Sequence, residues 1–181
     1  MSRPLRVALL SSTASADAAA LAGALRLAGQ QPVLMAPGAP TAPAGTGVIR
    51  LRRLPEAPLR FRFIGDGLGH LPHARVALSR GGFDLAHAFN PVDALAAVAW
   101  ARRAGRPAVL TFIAPLERET IGNRRLRLAT LERAVYGADT VIAASEAVRT
   151  SLRRLLAIDA PVLAAADAAG HLALYRELGA G

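Results

Sequence analysis

With 181 residues, 52% of them hydrophobic and only 4% aromatic, the chain is long enough for one domain with an aliphatic core, short for two, and too apolar to be disordered. It contains no cysteine, which excludes disulfides, thiolate metal sites and cysteine nucleophiles, and no run of about 20 apolar residues that could span a membrane. The formal charge of +9 is carried by arginine alone, since there is no lysine; this excludes a Walker lysine and leaves two readings open, a GC-rich coding sequence or an anionic partner.

The start, MSRPLRVALLSS, has too short an apolar run for a signal peptide, so a cytoplasmic protein is expected. Leu5 to Leu10 reads as the first strand, and Ala16 to Ala28 as a helix ending near Gly29. Pro32 to Ala36 and Val48 to Leu51 read as two further strands. From Pro37 to Gly69 prolines and glycines surround that second, weaker strand, as in a long surface excursion. Leu71 to Arg80 predicts a helix stopped by Gly81-Gly82, and Leu85 to Ala88 a strand.

The next helix, Pro91 to Ala104, is strongly punctuated. Asn90 is placed to cap it, Pro91 takes the first helical position, Asp93 lies near the positive helix end, and Gly105 stops it. Ala108 to Ile113 is a strand, and Asn123 to Tyr136 a helix closed by Gly137. Thr140 to Ala144 is a strand and Glu146 to Leu156 a helix capped by Ser145. Pro161 to Ala164 is a last short run, and Ala169 to Leu178 a last helix. Most of the runs lack polar alternation, as in strands covered on both faces. The expectation is an α/β fold: a single doubly wound, Rossmann-like domain with a mostly parallel sheet of about six or seven strands flanked by helices.

Motifs for common chemistries are weak. The first strand-helix turn, SSTASAD, has no glycine, so a dinucleotide pyrophosphate cannot approach its backbone closely, and no cofactor is expected. Gly65, Gly67 and Gly69 form a glycine cluster without a convincing strand before it, and read as loop. His70 and His73 are three apart but lack a carboxylate third ligand, so no metal is expected. His87 falls at a strand end, either at a functional edge or as a buried, hydrogen-bonded histidine. Asp93, Glu117 and Glu119 could share a rim, yet helix N-termini account for such acids. In the excursion, Arg50, Arg52, Arg53, Arg60 and Arg62 interleave with Leu59, Phe61 and Phe63, suiting an anionic lipid surface, a nucleic acid or plain solvent. Nucleic acid is the weakest of these, because charge alone is a poor warrant for it.

Three stretches read together: FDLAHAFNPVDALAAVAWARRAGRPAVLTF, LERAVYGADTVIAASEAVRTSLRRLL and HLALYREL. In order and spacing they resemble the N-terminal domain of a family 4, GT-B-fold glycosyltransferase, over most of residues 3 to 163. The resemblance implies two Rossmann-like domains around a cleft, the first binding the acceptor and the second the nucleotide-sugar, with a final helix crossing back onto the first. HLALYREL looks like that helix, with His171, Leu174, Tyr175 and Leu178 as its docking stripe. On this reading residues 1–166 are the acceptor-side domain, residues 167–181 are the returning helix, and no donor domain fits between Ala164 and His171.

The departures bear on activity. Where the family often has a glycine pair, this chain has Ser11, Ser12 and Thr13. A family HAH strand end reads His87-Ala88-Phe89, and a family TFHG corner reads Thr111-Phe112-Ile113-Ala114. Asn90, Ser145 and Glu146 keep the pattern. The resemblance therefore implies a cleft formed around Ser11, Ser12, His87, Asn90, Asp93, Ser145 and Glu146, without hexosyl transfer by the isolated chain. A donor-domain protein or full glycosyltransferase acting in trans, a homodimer through the cleft face, and an anionic membrane are the partners it leaves open.

Overall fold

The structure is a computed structural model and describes residues 3–12, 15–37, 41–52, 68–117 and 125–180. Its strands are β1 (Arg6–Leu10), β2 (Gln31–Pro37), β3 (Gly47–Leu51), β4 (Leu85–Ala88), β5 (Ala108–Phe112) and β6 (Thr140–Ala143). The helices are α1 (Ala16–Leu27), α2 (Leu71–Arg80), α3 (Pro91–Ala104), α4 (Arg125–Val135), α5 (Glu146–Leu156) and α6 (Ala168–Glu177), with a 3-10 turn, Leu68–His70, leading into α2. The strands form a single sheet in the order β3-β2-β1-β4-β5-β6, and every pairing is parallel.

Strand alternation sorts the core into two layers. Ala8, Leu10, Met35, Ala86, Ala88, Leu110 and Phe112 face α2, α3, α4 and α5. Val7, Leu9, Leu34, Leu85, Val109 and Ile142 face the other way, toward α1 and α6. Alanine dominates the buried stripe of α3, where Ala94, Ala96, Ala97 and Ala101 let the helix sit close to the sheet. Its ends follow the sequence signals: the Asn90 Oδ1 accepts the Asp93 N–H at 2.9 Å, and Gly105 closes the helix at φ 61°.

Two expectations shift. Pro161 to Ala164 does not form a seventh strand; Val162 makes a single parallel bridge beside Ala143. The docking stripe of α6 is turned by about one position: His171, Leu172 and Tyr175 are buried, whereas Leu174 and Leu178 are half-buried. The helix packs on α1 and on the layer beneath it.

Candidate functional site

The strand order reverses between β1 and β4, so the carboxyl ends of these strands frame the crevice where an open α/β sheet places a ligand. The turn after β1 brings Ser11 and Ser12 there, and the turn after β4 brings Asn90. Asp93, in the first turn of α3, is fully buried between them. Its Oδ2 accepts the Ser12 N–H at 2.6 Å and a hydrogen bond from the Asn90 Nδ2, while its Oδ1 lies 2.5 Å from the His70 Nε2. The Asn90 Nδ2 also donates to the Ser12 Oγ at 2.9 Å. Ser12, His70, Asn90 and Asp93 thus form one hydrogen-bonded network. A buried carboxylate is tolerable only when its lone pairs are taken up in this way.

His87 belongs to the opposite layer. Its ring is fully buried, with Nδ1 2.6 Å from the Tyr175 hydroxyl and Nε2 2.6 Å from the Thr111 Oγ1. Phe89 stacks on it at 4.8 Å, and the His171 ring stands 5.5 Å away. Burial, reinforced by His171, holds the His87 pKa well below its ordinary value. Burial also lowers the His171 pKa, with the Ala164 backbone and Asp167 opposing it. Burial pushes the Tyr175 hydroxyl far above its ordinary range. All three side chains are neutral at neutral pH.

Ser145 and Glu146 lie two strands further along the same edge. Ser145 caps α5, accepting the Val148 N–H at 3.4 Å, and Glu146 meets Arg149 at 3.1 Å on the surface. The corner after β5 is built by Ile113, which is 39% exposed, and is fastened by the Leu116 N–H donating to the buried Ser151 Oγ at 3.0 Å. Arg50 lies exposed on the edge strand β3, and the Arg52 N–H donates to the His73 Nδ1 at 2.6 Å. Arg53, Leu59, Arg60, Phe61, Arg62, Phe63, Gly65, Gly67 and Glu119 fall outside the described residues.

Of the sequence candidates, the structure joins Ser12, Asn90 and Asp93 directly and sets His87, Ser145 and Glu146 apart from them. His70, Thr111 and Tyr175 were not singled out as site residues. Parity offered one signal: His87 and Thr111 both occupy the α6-facing positions of neighbouring strands. Nothing local in the sequence points His70 at Asp93. Among the described residues no group of three or more His, Cys, Asp or Glu side chains could hold a metal ion.

The geometry has parallels among known proteins. A sucrose-phosphate synthase (tll1590) chain from Thermosynechococcus elongatus superimposes with a TM-score of 0.68 at 22% identity, covering 96% of this chain and 99% of that one. A second sucrose-phosphate synthase structure from that organism gives 0.63 at 18% identity, covering 88% and 47%. HepE of Anabaena, in complex with UDP and glucose, gives 0.58 at 15% identity, covering 83% and 41%. The chain thus spans less than half the length of the last two, and at these identities the likeness is one of fold. No curated protein matches in sequence. The family model Glycosyltransferase Family 4 matches residues 17–163, most of the chain. The chain belongs to glycosyltransferase family 4.

Proposed function

We propose that this chain is an acceptor-side glycosyltransferase domain joined directly to its back-crossing helix, without hexosyl transfer of its own, and that it works as a binding or partner module. The observation that carries the reading is the course of the chain after the Val162 bridge: six residues later α6 begins and docks over His87. In the two-domain arrangement that the family resemblance implies, the donor half leaves and returns at this point.

The site chemistry supports the same reading. The Ser12 N–H at the switch point, of the kind that elsewhere binds a ligand anion, is occupied by the Asp93 carboxylate. His87 is enclosed, and the β5 corner offers an isoleucine that can neither donate a hydrogen bond nor move a proton. Without a donor half, most of the electrostatic stabilisation of a diphosphate leaving group is missing as well.

The test is purification of the tagged chain from its native host with cross-linking. A glycosyltransferase or donor-domain protein recovered in stoichiometric amount supports the reading; a strictly monomeric chain without an interactor contradicts it. A second reading, the acceptor half of a split enzyme, is favoured by the exposure of Ile113 at the edge where a donor half would close. Turnover that begins only when a donor-domain protein is added would select it.

A further inference from the structure

The two most exposed large hydrophobic residues among those described are Leu27, at 83%, and Tyr136, at 71%. They are far apart in sequence and close to one edge of the fold. Leu27 ends α1, just before Gln31 pairs with Leu5 at the start of β1. Tyr136 follows α4, just before the Asp139 carboxylate accepts the Ala108 N–H at the start of β5. Both therefore lie at the amino-terminal edge of the sheet, opposite the switch-point crevice.

Arginine gathers at this same edge. Arg26 is in the last turn of α1, Arg80 of α2, Arg102 and Arg103 of α3, and Arg133 of α4; all five are exposed. Among the described residues, none of the five guanidinium groups has an ion-pair or hydrogen-bond partner. The contrast is α5, where Arg149 and Arg153 are matched by Glu146 and Asp159. The edge also has a cleft of about 290 Å³ whose lining includes Arg3, Ser79, Phe83, Asp84, Trp100 and Arg106. Asp84 in that cleft is already engaged by Arg3 and by the Arg6 N–H.

A cation in the last helical turn complements the helix dipole, which accounts for one arginine per helix. It does not account for the doubled pair on α3, for Arg106 beyond it, or for a leucine and a tyrosine held in water beside them. A rim of unpaired arginines with an exposed aliphatic and an exposed amphipathic aromatic side chain fits a bilayer interface, where the cations meet phosphate headgroups and the apolar tips enter the boundary below.

We propose that the amino-terminal edge of the sheet, formed by the carboxyl ends of α1, α2, α3 and α4, docks on an anionic lipid surface. The crevice at the other edge then faces away from the membrane. The inference does not depend on whether the chain transfers sugar.

The experiment is co-sedimentation of the full chain with vesicles of phosphatidylcholine, with and without phosphatidylglycerol. Binding is expected only with phosphatidylglycerol and should weaken as salt rises. A variant carrying Arg80→Gln, Arg102→Gln, Arg103→Gln and Arg133→Gln should lose roughly a hundredfold or more in partitioning, since each arginine near such a surface matters on the scale of a severalfold change. A second variant, Leu27→Ser with Tyr136→Ser, changes exposed residues only and should weaken binding severalfold while melting as the parent does. Equal binding to both vesicle types, or parent-like binding by the four-arginine variant, overturns the proposal. So does loss of binding on changing only Arg50 and Arg52, which would move the interface away from this edge. Parent-like binding by the Leu27 and Tyr136 variant, with RNA displacing the vesicles, also overturns it in favour of a general polyanion surface.

Discussion

The Nδ1 of His87 and the hydroxyl of Tyr175 are 88 residues apart in sequence and 2.6 Å apart in space, both fully buried. This contact ties the last helix to the middle of the sheet. Tyr175→Phe keeps the ring and removes only the hydroxyl, leaving the Nδ1 unsatisfied in the interior. The expected loss is about 1–3 kcal/mol of stability, read from urea unfolding at neutral pH.

Protonation should loosen the same region. His87 and His171 are both held below their ordinary value of 6.5 in the folded chain. The unfolded chain therefore binds more protons near and below that value, and stability rises with pH there. The stabilisation is whole above about pH 6.5 and is lost as pH falls toward the folded values, at up to about 1.4 kcal/mol per pH unit for each histidine. Urea unfolding between about pH 7 and pH 5 should show this slope, and His171→Phe should reduce it. A wild-type chain equally stable across the range would show that the two rings are not the proton-sensitive groups.

Asp93 should be the most costly polar residue to remove. Asp93→Ala strands the Ser12 N–H, the Asn90 amide and the His70 ring together, and about 3–5 kcal/mol should be lost. Because His70 shares the network, the double variant with His70→Ala should depart from additivity by about 0.5–3 kcal/mol. Strict additivity would mean that the two side chains do not couple.

The α6 helix should behave as part of the core. Leu172→Ala removes a buried side chain and should cost about 2–5 kcal/mol. Leu174→Ala and Leu178→Ala, at half-buried positions, should cost less. Removal of residues 168–181 should lower the melting temperature sharply; unchanged melting would mean that the helix is not docked in solution.

How far the sequence carries can be seen residue by residue. Asn90, Pro91 and Gly105 bound α3 by local rules, and the apolar runs gave six parallel strands because both sheet faces are covered. Pro161 to Ala164 looked the same locally but finds a neighbour only at Val162, and pairing is a property of the fold rather than of the run. Periodicity identified α6 as a docking helix yet put Leu174 on the inside in place of Leu172, because a short alanine-rich helix defines its apolar face poorly. The site was harder. His87 was legible as a residue at a strand end, but its enclosure depends on Tyr175, far along the chain. The pairing of His70 with Asp93 depends on a 3-10 turn that no local pattern announces.

The most direct test of the central claim is release of nucleoside diphosphate from a panel of nucleotide-sugars by the purified chain, alone and with its co-purifying partner. No release above spontaneous hydrolysis is expected from the chain alone. Acceptor-dependent turnover by the chain alone would contradict it.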